Sequence, residues 1–149
     1  MVNQDPGPAH GLRVVVADSH HLVRHGLADV LTSAGALVTQ AADAESALRE
    51  VADHHADVLV VSLDLPGRER GHVVAIARDR WPALAVIALS ETTSHESMLT
   101  ALDLGASAYL PKTAAPERFV STAVRAAAAP GAFVADDVLT PRRQARGGP

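Results

Sequence analysis

The chain has 149 residues, 48% of them apolar and 20% charged, with a formal net charge of −4. That is enough apolar chain for one ordinary domain core and excludes a disordered body. The lack of cysteine excludes disulfides and cysteine-ligated zinc, and no apolar run approaches the ~18 residues a bilayer span needs.

Residues 1–11, with Pro6, Gly7, Pro8 and Gly11, read as a flexible leader. Leu12–Ala17 is an apolar strand broken only by Arg13. His21–Ser33 carries Val23, Leu27, Val30 and Leu31 on one helical face, and Gly35 is a natural stop. Ala36–Gln40 reads as a second strand. Asp43 suits the N-cap of a helix carrying Ala47, Leu48, Val51 and Ala52. Val58–Val61 is a third strand, followed by a turn at Leu65-Pro66-Gly67. Val73, Val74, Ile76, Ala77 and Trp81 mark a third helix ended by Pro82. Leu84–Leu89 is the fourth strand. Thr93 and Glu96 form a capping box for a helix running to Leu104, with Gly105 at its end. Ser107–Leu110 is the fifth strand, and Pro116 opens a last helix with Phe119, Val120, Ala123, Val124 and Ala127. The alanine run 126–129 is helix propensity.

The pattern is βα repeated five times. Strands apolar throughout and separated by helices imply a parallel sheet covered on both faces, wound right-handed into an α/β sandwich. Such sheets place function at the carboxyl ends of their strands. Asp18, Ser19, Ser62, Ser90 and Lys112 occupy those ends. Lys112 is the only lysine beside twelve arginines.

These strand-end segments resemble one known family. Val14-Val15-Val16-Ala17-Asp18-Ser19-His20 is similar to the first strand and acidic pair of bacterial two-component response regulator receiver domains. Val60-Val61-Ser62-Leu63-Asp64-Leu65-Pro66-Gly67 resembles their phospho-acceptor loop, with Ser62 in the place of the aspartate. Ile87-Ala88-Leu89-Ser90-Glu91 resembles the fourth strand with its switch hydroxyl, and Gly105-Ala106-Ser107-Ala108-Tyr109-Leu110-Pro111-Lys112 the fifth strand with switch aromatic and lysine. The stretch from Lys112 through Pro116 and Glu117 is similar to the NarL/LuxR-type subfamily. The resemblance implies a flavodoxin-like (βα)5 sandwich with strand order 2-1-3-4-5, a receiver domain over residues 12–130, and a linker over residues 131–149 leading to a helix-turn-helix domain absent from this chain.

The resemblance also implies a chemistry. An aspartate carboxylate takes a phosphoryl group from a phosphohistidine, a Mg²⁺ ion held by acidic-pair and acceptor carboxylates offsets the charge, and a lysine and a hydroxyl bind the phosphoryl oxygens. Here Ser62 has no carboxylate, and Ser19 removes a further ligand, leaving Asp18 and Asp64. The expected outcome is a degenerate, phosphorylation-independent module, not an enzyme, with Mg²⁺ binding weak or absent and no other cofactor. Lys112 is expected to pair with Asp18, an attraction of roughly 4 kcal/mol at ~4 Å and an effective dielectric of 20, before desolvation. Arg70 stands where the family usually has glycine, with Gly71 after it, which alters the loop over the pocket. Ser90 and Tyr109 are the switch positions.

Simpler readings stand beside these. Asp18 and Asp64 suit helix caps, Ser90 a helix entry, Tyr109 packing at the sheet edge and Lys112 a solvated surface. His21 and His25 are four apart, a ligand-like spacing, with His20 beside them, but no further ligand lies near, so cap or surface histidines are the simpler reading. His54-His55 ends a helix, where imidazolium suits the dipole. No glycine-rich phosphate loop follows the first strand and no nucleophile sits beside a base in sequence, which argues against an enzyme of the flavodoxin-like class. Asp18-Ser19-His20 is similar to the Asp-x-His of cobalamin-binding domains, but Val23 replaces the glycine that family needs.

The expected partners are a second copy of the chain, a sensor kinase or a small-molecule regulator, and DNA only through the absent domain. The body is acidic once Arg142, Arg143 and Arg146 at the C-terminus are set aside, a poor match to phosphates. Leu139-Thr140-Pro141-Arg142 resembles the start of a LuxR-type DNA-binding domain. No signal peptide is evident, and a cytoplasmic, membrane-free location is expected. The alternatives are a conventional phosphorelay receiver, with a substitute acceptor or an engineered Ser62, and a small-ligand-binding domain on the same fold.

Overall fold

The computed structural model describes residues 6–67, 72–92 and 94–129. Its elements are β1 (Arg13–Ala17), α1 (His21–Ser33), β2 (Leu37–Ala41), α2 (Ala44–His54), β3 (Val58–Ser62), α3 (His72–Arg80), β4 (Ala85–Ser90), α4 (His95–Asp103), β5 (Ala108–Pro111) and α5 (Pro116–Ala128). The strands form one parallel sheet in the order β2-β1-β3-β4-β5. This is the flavodoxin-like arrangement expected from the sequence. Strands β2 to β5 extend one residue beyond the expected C-terminal ends, so Ser62 and Ser90 are the last paired residues of β3 and β4.

Alternation along each strand divides the core in two. Val15, Leu59, Val61, Val86, Ala88 and Tyr109 pack beneath α2, α3 and α4. Val14, Val16, Val58, Val60, Ile87, Leu89 and Leu110 pack beneath α1 and α5. Both faces are dry, which is why β3 and β4 are apolar up to their terminal serines. Among the described residues no helix is long and apolar enough to cross a membrane.

Three local features differ from or sharpen the sequence reading. Residues 6–11 are not loose: Ala9 is buried, its N–H donates to the Ala34 carbonyl at 2.8 Å, and Gly11 N–H donates to the Gly35 carbonyl. Gly35 has φ +102°, and a Cβ there would collide with the Pro6 carbonyl oxygen. A turn that packs against the end of α1 satisfies its own backbone groups, which composition alone does not reveal. Residues 1–5 and the tail from 130 to 149, with its basic residues and LuxR-like start, lie outside the described residues. The cap of α4 is Ser94, whose hydroxyl accepts the Ser97 N–H at 3.0 Å. The helix therefore starts one residue later than the Thr93–Glu96 pattern implied.

At the amino ends of the strands Arg78 buckles three segments together. Its guanidinium donates to the carbonyls of Gly105 and Pro82, both at 3.0 Å, and to Ser107 Oγ at 2.9 Å. That oxygen also accepts the Val86 N–H at 3.1 Å. Arg78 of α3 thus fixes the turns that lead into β4 and β5.

Asp43 caps α2 as expected, accepting the Ser46 N–H at 2.8 Å. The hydrogen bonds from the Ser46 backbone and side chain hold its carboxyl below the usual aspartate range. A group with a depressed folded-state value stabilises the fold above its unfolded value and ceases to do so as pH falls. Asp43→Ala should therefore destabilise the domain by about 1 kcal/mol at neutral pH. The difference between variant and wild type should shrink below about pH 4, as read by urea denaturation at both pH values.

Candidate functional site

Asp18 continues β1 by one residue, its N–H donating to the Ala41 carbonyl at 3.1 Å. Its side chain is fully buried at the carboxyl edge of the sheet. Lys112 continues β5, its N–H donating to the Ser90 carbonyl at 2.9 Å. These two ladder bonds aim the side chains at each other, and Lys112 Nζ lies 3.0 Å from Asp18 Oδ2. The expected pair is present, and both members are shielded: 5% of the lysine side chain and 1% of the aspartate side chain are exposed.

Two further residues close around the ammonium. Glu91, just after β4, accepts from Lys112 Nζ at 3.2 Å. His20 presents Nδ1 at 3.4 Å from Lys112 Nζ and 3.2 Å from Asp18 Oδ1. The His20 backbone N–H donates to Asp18 Oδ1 at 2.9 Å. A bare Nδ1 accepts from the ammonium, and a protonated one donates to the carboxylate. Arg24 on α1 fixes the loop from behind, donating to the Asp18 carbonyl at 2.9 Å and to Gln40 Oε1 at 3.0 Å.

The remaining positions divide. Ser62 is buried, and its hydroxyl accepts the Asp64 N–H at 3.2 Å. Ser90 is buried, and its hydroxyl accepts the Thr92 N–H at 3.3 Å, the local bond of a helix entry. Tyr109 is buried, and its hydroxyl donates to the Thr92 carbonyl at 2.6 Å. Ser19 and Asp64 are exposed. The structure thus joins Asp18 directly to Lys112, carries Ser62 and Ser90 on the adjacent tips of β3 and β4, and places Ser19 and Asp64 at exposed positions. Arg70 and Gly71 lie outside the described residues.

His20 and Glu91 are the two pocket members that sequence reasoning missed. The sequence pattern places His20 among cap, surface or metal residues and Glu91 only within a motif. The signal was available, since each sits one or two residues past a strand tip, where the chain must bend over the crevice. His21 and His25 lie with ring centroids 4.9 Å apart. Among the described residues no group of three or more histidines and carboxylates could hold a metal ion.

Removing one partner of a buried ion pair leaves an uncompensated charge, a loss of about 3 kcal/mol, whereas replacing both is much milder. Asp18→Asn should destabilise strongly in urea titration. The double variant Asp18→Asn with Lys112→Met should lie closer to wild type than the single.

The comparisons bear on the family and the fold. Residues 14–124 match the response regulator receiver domain family. The chain is 33% identical over 129 residues to the transcriptional activator protein ExaE of Pseudomonas putida, covering 85% of this chain and 60% of that protein. A LuxR-family two-component response regulator from Aurantimonas sp. SI85-9A1 superposes with a TM-score of 0.78 at 25% identity, over 92% of this chain and 99% of that one. The signal receiver domain of the putative response regulator NarL from Mycobacterium tuberculosis gives 0.73 at 28% identity, over 80% and 98%. With the match running from β1 into α5, the chain belongs to the response regulator receiver domain family and is of the NarL/LuxR type.

Proposed function

We propose that this receiver works without phosphorylation, as a non-enzymatic signalling and dimerisation module of a cytoplasmic transcription regulator. The observation that carries the reading is the buried pair of Asp18 and Lys112 at 3.0 Å. The lysine that the family resemblance assigns to phosphoryl oxygens already has a carboxylate partner here. The acceptor position offers only the neutral hydroxyl of Ser62, which accepts the Asp64 N–H. A serine hydroxyl without an adjacent base is a poor nucleophile, and it cannot form an acyl phosphate. Asp64, two residues on, is exposed, which argues against its serving as a substitute acceptor.

The donors at the strand tips also argue against a resident Mg²⁺. That ion prefers near-octahedral oxygen ligation supplied by carboxylates and water. Asp18 is the one buried carboxylate among the described residues, and an ammonium already sits against it. Ser62 brings no charge, and Ser19 is exposed.

Control of such a module must come from a ligand or partner that binds one state better than another. A second copy of the chain, a sensor kinase or a small-molecule regulator would serve. Contact with DNA is assigned to a C-terminal domain of the kind the resemblance implies. ExaE is named as a transcriptional activator, and this chain spans about 60% of its length.

Incubation with a small acyl phosphate donor and Mg²⁺, followed by intact-mass measurement, should leave the mass unchanged. Millimolar Mg²⁺ should leave the melting temperature unchanged. A labile added phosphate would restore the conventional phosphorelay reading, and a clear stabilisation by Mg²⁺ would restore the metal.

A further inference from the structure

We infer that Glu91 is a positioning residue of this pocket: jointly with Asp18 it holds the Lys112 ammonium, pins the β4–α4 loop across the tips of β1 and β5, and keeps anions out. The inference deepens the phosphorylation-independent reading and rests on it.

The first argument is donor accounting. A lysine ammonium has three N–H donors and no acceptor, and each needs a partner when water is excluded. Only 5% of the Lys112 side chain is exposed. Two acceptors hydrogen-bond it, Glu91 Oε2 at 3.2 Å and His20 Nδ1 at 3.4 Å, and Asp18 Oδ2 lies 3.0 Å away as its ion-pair partner. They come from the end of β1, the loop after β4 and the turn before α1. The cluster spans three separate segments of chain, and Asp18 Oδ2 meets the ammonium by charge alone, without a hydrogen bond.

The second argument is charge. Asp18 alone neutralises Lys112, so Glu91 adds a negative charge that balance does not require. Its side chain is 55% exposed, and with the equally exposed His20 it stands at the mouth of a pocket whose ion pair, Asp18 and Lys112, is buried. A phosphoryl group or phosphate ion approaching Lys112 meets two carboxylates and one ammonium. It would have to displace Glu91 to reach the donor that Glu91 occupies. Like charges at this range disfavour entry.

The third argument is the loop itself. Ser90, Glu91 and Thr92 are each tied down. The Ser90 carbonyl accepts from Lys112 N–H at 2.9 Å, and its hydroxyl accepts from Thr92 N–H at 3.3 Å. Glu91 binds the ammonium, and the Thr92 carbonyl takes the Tyr109 hydroxyl at 2.6 Å. Helix α4 starts at His95, behind the Ser94 cap. Residues 90–92 are thereby anchored on the approach to α4, and Glu91 makes its tie through an exposed side chain.

Lys112 is the only lysine, so ¹⁵N-lysine labelling of the full chain lights a single ammonium. Wild type should show a slowly exchanging Nζ signal and a protected Thr92 amide. In Glu91→Gln both should exchange about tenfold faster, and inorganic phosphate should now shift the Nζ signal. Glu91→Asp should restore part of the protection. Glu96→Gln, on the first turn of α4, should match wild type. Equal exchange in Glu91→Gln and wild type, with no phosphate response in either, overturns the inference even if wild type takes no phosphate from an acyl phosphate donor. Labelling of wild type by that donor overturns the underlying reading instead.

Discussion

A buried ammonium facing a buried carboxylate is the constraint on which the upper rim of this domain depends. Neither Asp18 nor Lys112 can lose water without the other, and the pair is satisfied only if the tips of β1 and β5 stay in place. Between them stand β3 and β4, ending in Ser62 and Ser90. The parallel ladder therefore sets the geometry of the pocket, and the pocket in turn holds the two outlying tips together.

Replacing a carboxylate by a hydroxyl at position 62 alters what such a pocket needs. Several acids around one lysine call for an added cation. One buried acid beside one lysine is balanced, and the remaining donors of the ammonium are met by Glu91 and His20. In the proposed reading the charge that would come and go in a switch is built into the chain. Regulation then has to act through binding that favours one arrangement of α4 and its neighbours over another.

The two ends of the sheet are fixed by different means. At the amino ends, Arg78 joins α3 to the turns leading into β4 and β5 through neutral carbonyl and hydroxyl acceptors. At the carboxyl ends the ties are ionic around Lys112 and local around Ser90 and Thr92. The β4–α4 loop sits among the second set, and its outermost tie is the partly exposed side chain of Glu91. A segment held partly by a rim ion pair opens more easily than one held by packed core.

What the sequence by itself determined was the βα alternation, the helix starts set by Asp43 and Pro116, the glycine stop after α1 and the residues at the strand tips. These follow from local rules: apolar periodicity, capping and backbone freedom. It also determined that a carboxylate is missing at position 62 and that one lysine remains. Tertiary structure alone decided which tips meet. Glu91 and His20 joined the pocket because loops after β4 and β1 bend over the same crevice, a proximity no local pattern encodes. Residues 6–11 looked loose because proline and glycine dominate them, yet backbone hydrogen bonds to Ala34 and Gly35 hold them in place. Helix α4 is capped by Ser94 where the sequence pointed to Thr93, because adjacent hydroxyls are equivalent caps to a local rule.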